Sequence, residues 1–193
     1  MKRKSFDRIV TAVGFGLAVF LLIAAGLLNW GAGFASDAVS SQLTAQEITF
    51  PAASGNSDES ADVTKFFADN GDKILGSAKQ AQMYADHYLA FHLSKMPTYA
   101  AASGASRAAG AAMAAHPADP ALKADAAAKA GMVDTVFKGT MLRGTLLTAY
   151  AFGTLGSIAG IAALVSLIGA LVMLLLSILG LLQIRRVPED ATI

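Results

Sequence analysis

"TLLTAYAFGTLGSIAGIAALVSLIGALVMLLLSILGLLQI", Thr145 to Ile184, runs for forty residues without one Asp, Glu, Lys or Arg. As a single helix it would be roughly 60 Å long, about twice the hydrocarbon thickness of a bilayer. It is therefore either two membrane spans or one span with an extension, and the flanking charges decide. Arg185 and Arg186 follow it directly. Near the other end of the chain, "IVTAVGFGLAVFLLIAAGLLNW", Ile9 to Trp30, is also uncharged, and at roughly 33 Å it is long enough to cross. "MKRKSFDR" precedes it, where Lys2, Arg3, Lys4 and Arg8 outnumber Asp7. Basic residues collect on the cytoplasmic side, which puts residues 1–8 and 185–193 in the cytoplasm and requires an even number of crossings. The long run then holds one span, at about 160–182, where Leu, Ile and Val are densest. The rest of a helix covering 144–184, with Thr145, Thr148 and Tyr150, continues outward.

The expected architecture is all-α: two transmembrane helices in the plasma membrane flank a small helical extracytoplasmic region, residues 31–143. Composition agrees, with 54% hydrophobic and 15% charged residues and a mean hydropathy of +0.51 over 193 residues, too apolar for an ordinary soluble domain. The run at 9–30 exceeds the 7–15 residues usual for the core of a signal peptide, so we read it as a retained anchor. Without cysteine the chain forms no disulfide, and its outer region must be held by packing. That region carries eleven acidic and nine basic residues. It has no basic stripe, so nucleic-acid binding has no footprint.

Punctuation divides the outer region. "SDAVSSQLTAQEI" reads as a helix capped by Ser36 or Asp37, with Val39, Leu43 and Ile48 on one side. "TFPAASGNSDESAD" reads as an extended link and polar loop broken at Pro51 and Gly55. A helix is expected from near Ser77 through "AKQAQMYADHYLAFHLSKM" until Pro97 stops it. "TYAAASGASRAAGAAMAAH" has strong helix propensity but few large side chains to bury. "DPALKADAAAKAG" reads as a short helix with Asp119 as cap, Pro120 at its first position and Gly131 at its end. From Met132 onward a helix leads into the membrane.

"ADHYLAFH", Ala85 to His92, holds two histidines and an aspartate, the ligand types of an oxygen-activating non-haem iron site. Spacing argues against a shared metal. On an α-helix His87 and His92 lie roughly 140° apart and Asp86 roughly 120° from His92, and Lys95 would repel a cation beside His92. His116 stands apart in a loop. We assign no catalytic, cofactor-binding or metal-binding residue; the histidines read as surface or interface groups beside Tyr84, Tyr88 and Phe91.

The spans offer packing features instead. Ala149, Gly153, Gly156, Gly160 and Ala163 alternate four and three apart on one face of the second helix, and the first offers Ala12 with Gly16 or Gly14 with Ala18. Small residues let helix backbones approach closely in lipid. Such a face can meet either the other span or another subunit. The opposite face, with Leu155, Ile158, Ala162, Val165 and Leu176, suits lipid or a larger subunit.

"SQLTAQEITFP" (41–51), "YADHYLAFH" (84–92) and "MLRGTLLTAYAFGTLGSIAG" (141–160) resemble a family of small actinobacterial two-span membrane proteins, often labelled aromatic ring-opening dioxygenases. The likeness covers most of the chain, although the stretch from Ala100 to Ala130 is longer than that family's pattern, and it brings no catalytic residues. Chains of this size and topology also resemble accessory subunits of the actinobacterial cytochrome bcc–aa3 respiratory supercomplex. That likeness implies integral membrane partners, haem-containing ones among them.

The expected function is thus a non-catalytic accessory subunit of a large membrane complex, with Tyr84, Tyr88, Phe91 and Tyr99 as candidate interface anchors. Two alternatives are a free-standing envelope protein that homo-oligomerises through its glycine face and a metal-dependent dioxygenase.

Overall fold

The computed structural model describes residues 2–188, 191 and 192. Regular structure among them is helical: α1 (Arg3–Thr44), α2 (Ala61–Asn70), α3 (Ala78–Met83), a π-helical turn (Tyr84–Leu89), α4 (Ala90–Ser94), α5 (Tyr99–Ala115) and α6 (Pro120–Arg186). The protein is all-α, and α1 and α6 are long and apolar enough to cross a membrane. The chain divides into two compact units, Met1–Asp37 with Thr154–Ile193, and Ala38–Gly153.

The first unit is an antiparallel helix pair built on a seam of small residues. Every seventh residue of α6 is buried along it: Gly156, Ala163, Ala170, Ser177 and Ile184. On α1 the same interval buries Thr11, Ala18 and Ala25. A seven-residue repeat keeps two helices facing one another when they coil with a left-handed twist. The register is explicit. A Cβ placed on Gly180 would stand 2.6 Å from Thr11 Oγ1, one on Gly14 would collide with Ser177 Oγ, and one on Gly156 would stand 2.9 Å from Ala35 Cβ. Thus Gly14 and Ala18 form the inward pair on α1. Gly16 meets nothing, and its neighbour in the alternative pairing, Ala12, is exposed.

The outer surface of this unit is apolar nearly throughout. Leu155, Ile158, Val165 and Leu176 are all exposed, as a helix pair embedded in lipid requires. Trp30 and Phe34 stack at 5.9 Å on the outside of α1, the residue type that marks a membrane–water interface.

In the second unit the core gathers Val39, Leu43, Phe50, Phe67, Leu75, Ala81, Met83, Ala85 and Leu146. Phe50, Phe67 and Leu75 are its largest fully buried side chains, each contributing about 1.5–3 kcal/mol of transfer free energy. Two extended segments bring them together. Leu75 N–H donates to the Ile48 carbonyl and Phe50 N–H to the Lys73 carbonyl, both at 2.8 Å, around an antiparallel bridge between Thr49 and Ile74. Ser77 and Gln80 form a capping box that starts α3, at the helix start the sequence predicts near Ser77.

Three boundaries differ from expectation. Neither Ser36 nor Asp37 caps a new helix, because α1 continues to Thr44. No proline interrupts it, and extending an existing helix is far easier than nucleating another. Gly131 does not end a short helix, and the long helix does not begin at 144: α6 is continuous from Pro120, with Asp119 accepting from Ala121 N–H at 2.8 Å at its start. A mid-helix glycine costs about 1 kcal/mol, too little to break a run so rich in alanine. Third, α2 begins at Ala61, inside the last two residues of the stretch read as a polar loop, and runs on to Asn70. Ser60 caps it, accepting from Val63 N–H.

Two measurements test this packing. Ala32 Cβ lies 3.7 Å from a Cβ built on Gly160, within the range disulfides require. The double variant A32C/G160C in this cysteine-free chain should form an intrachain disulfide on mild oxidation, seen as a mobility shift without dimer. Separately, Phe50→Ala should destabilise the second unit by about 3–5 kcal/mol, read as loss of protection in hydrogen exchange over residues 48–94.

Candidate interaction site

The stretch "YADHYLAFH" forms the π-helical turn and its continuation. Across it the backbone bonds shift from i−4 to i−5, and Ala90 N–H donates to the Ala85 carbonyl. The same carbonyl accepts from Arg143 Nε at 3.1 Å, while Arg143 Nη2 donates to Asp86 Oδ1 at 3.0 Å. One guanidinium from α6 therefore ties down the widened turn, giving its irregular backbone a second donor.

The three groups of the iron-like stretch point to three different partners. Asp86 is committed to Arg143. His87 Nδ1 lies 3.0 Å from both carboxylate oxygens of Glu59. His92 Nδ1 is 2.7 Å from the Tyr88 carbonyl; a carbonyl can only accept, so this nitrogen donates. His92 also lies beside Gly55, whose φ of +82° favours glycine, with Phe91 on the same flank. Among the described residues no three His, Asp or Glu side chains converge as metal ligands would. What the arrangement does is fasten a loop: His87 holds Glu59, and His92 and Phe91 back Gly55.

The candidate anchors separate into two groups. Tyr84 and Tyr88 pack against the core in a ladder of rings, with Phe50–Tyr84 at 6.1 Å, Tyr84–Tyr88 at 5.0 Å and Tyr88–His92 at 4.3 Å. Phe91 is half-buried beneath Lys95, whose ammonium stands 4.9 Å from its ring, a cation–π arrangement. Tyr99 alone of the four is open to solvent, at 50% exposure, and its ring meets Phe137 of α6 at 6.0 Å.

That contact reveals surface residues the aromatic pattern around Tyr84 did not indicate. Phe137 is 49% exposed, Met141 53% and Met132 40%. Phe137 and Met141 are four apart on α6, hence one above the other, in a segment that also carries the exposed Asp134–Lys138 ion pair. The sequence signal was the i, i+4 apolar pair inside "VDTVFKGTML".

Of the helix-packing candidates, Gly156 and Gly160 face Ala32 and Ala35 of the same chain, and Ala163 is buried. Gly153 meets Ala78, and Ala149 packs on the core of the second unit. All five serve packing within the chain.

The hydroxyl of Tyr84 is raised above its ordinary pKa of 10.0, first by desolvation and then by the neighbouring Tyr88. A raised folded value means that the neutral phenol stabilises the fold fully below the unfolded value, and that this contribution fades as pH climbs through the folded one. Alkaline titration by phenolate absorbance should show a component ionising above the usual tyrosine range, absent in Tyr84→Phe.

The chain matches no known protein family, no curated protein and no solved structure.

Proposed function

We propose that this protein is a non-catalytic accessory subunit of a larger membrane complex, anchored by α1 and α6. Both chain ends face the cytoplasm, and the unit Ala38–Gly153 lies on the outer side. The observation that carries this reading is the exposed patch of Tyr99, Phe137 and Met141, in which Tyr99 meets Phe137 and Met141 lies one turn further along α6. Their segment of α6 is too charged to sit in a bilayer, with Lys129, Asp134, Lys138 and Arg143 spaced along it. Aromatic and methionine side chains grouped outside the lipid are the composition of protein interfaces.

Further support comes from the partners around residues 85–92, where Asp86 is engaged by Arg143, His87 by Glu59 and His92 by the Tyr88 carbonyl. A partner of the haem-containing respiratory type, such as the cytochrome bcc–aa3 supercomplex, follows from the resemblance of size and topology. Self-association through the glycine face finds less support, since Gly156 and Gly160 already meet Ala32 and Ala35 within the chain.

Extraction of native membranes with a mild detergent should recover the chain with larger integral membrane subunits and a haem absorption spectrum. The triple substitution of Tyr99, Phe137 and Met141 to Ser should release it while leaving it folded and in the membrane. Recovery of the native chain as a lone monomer, or unchanged association of the triple variant, refutes the proposal.

A further inference from the structure

At the end of the helix pair opposite Trp30, basic residues from both helices come together. Arg3 N–H donates to the Ala191 carbonyl at 3.1 Å, Lys2 bridges to Thr192, and Thr11 faces Gly180. The start of α1 and the end of α6 therefore lie side by side, and Arg3, Arg8, Arg185 and Arg186 are all exposed at this end of the pair. None of these four guanidinium groups forms an ion pair among the described residues. Asp7, the acidic residue of this end of α1, is turned inward, with Oδ2 buried and unpaired among the described residues.

We infer that this surface binds the phosphate headgroup of an anionic phospholipid. The inference rests on the membrane reading given above. Guanidinium forks match phosphate oxygens with two parallel hydrogen bonds, and basic clusters bordering a span are where anionic headgroups gather. What selects a lipid over soluble phosphate is the apolar shoulder beside the cations. Ile9, next to Arg8, is 58% exposed, and Leu182, one turn before Arg185 and Arg186, is 45% exposed. A headgroup on the arginines would lay its acyl chains along these side chains, which inorganic phosphate cannot use. A zwitterionic lipid brings its own cation and gains less from the cluster.

The full chain in mild detergent, offered phosphatidylglycerol, phosphatidylcholine or inorganic phosphate, is read by native mass spectrometry and by thermal unfolding. Phosphatidylglycerol should be retained about tenfold more than phosphatidylcholine and should raise the unfolding temperature, while inorganic phosphate should do neither. Changing Arg3, Arg8, Arg185 and Arg186 together to Gln should abolish the preference, and changing them to Lys should preserve most of it. Equal retention of both lipids, equal stabilisation by inorganic phosphate, or loss in the Lys variant as complete as in the Gln variant overturns the inference. Carbonate extraction of native membranes separates this from failure of the membrane reading: a chain released by carbonate sinks that reading itself, whereas one that resists extraction yet shows no lipid preference sinks only the headgroup site.

Discussion

The approach of α1 to α6 depends on side chains that are absent. In lipid, no hydrophobic force drives one helix onto another, so association rests on dispersion between surfaces that fit closely. At Gly14 and Gly180 the fit is reciprocal: each glycine receives a hydroxyl-bearing side chain, Ser177 or Thr11, from the facing helix. Sliding the helices by one residue would set those hydroxyls against larger groups and turn the seven-residue seam away. Register is thus fixed at several points along the pair, and fixed register brings Arg3 against Ala191.

The second unit solves a different problem. Its helices are short and alanine-rich, and α5 buries only small residues, Ala102 and Ala109. Large apolar burial is concentrated in Phe50, Phe67 and Leu75, a small core for a region of this length. Polar links supplement it at the places where the chain reverses. Gln80 starts α3 through its capping box and donates to Asn70 at 3.1 Å, Glu59 is held by His87, and Arg143 secures the π-helical turn. These bonds join loop to helix, so they limit local opening more than they add to global stability.

Much of this was legible in the sequence. Uncharged runs announced both long helices, the helix expected from near Ser77 begins there, and Asp119 stood where α6 begins. The errors share a physical origin. Ser36 and Gly131 are residues that can end or begin a helix, and whether they do depends on the neighbours' preference for continuing. The opposite error hid α2: the polar run before Ser60 extended in composition past the cap, although Val63, Phe66 and Phe67 already showed helical spacing. The π-helical turn had no local signal, since its second support, Arg143, is 57 residues from Asp86. For the same reason the destination of the glycine face could not be read before Ala32 and Ala35 were seen opposite it.

Exposed apolar surface has two distinct characters here. On the helix pair it is overwhelmingly Leu, Ile and Val, distributed around the outside, which is how a protein meets a fluid of hydrocarbon chains. On the second unit Tyr99, Phe137 and Met141 form a patch of a different kind, bordered by the Asp134–Lys138 pair. A bilayer would have to desolvate those charges to reach the rings, at a cost exceeding what a few apolar side chains return. Water leaves the rings unsatisfied. A folded surface can cover the rings while leaving the charges at a wet rim, and methionine adapts its shape to such a surface better than a branched side chain. A protein surface of that kind is what the accessory-subunit reading proposed above places over this patch.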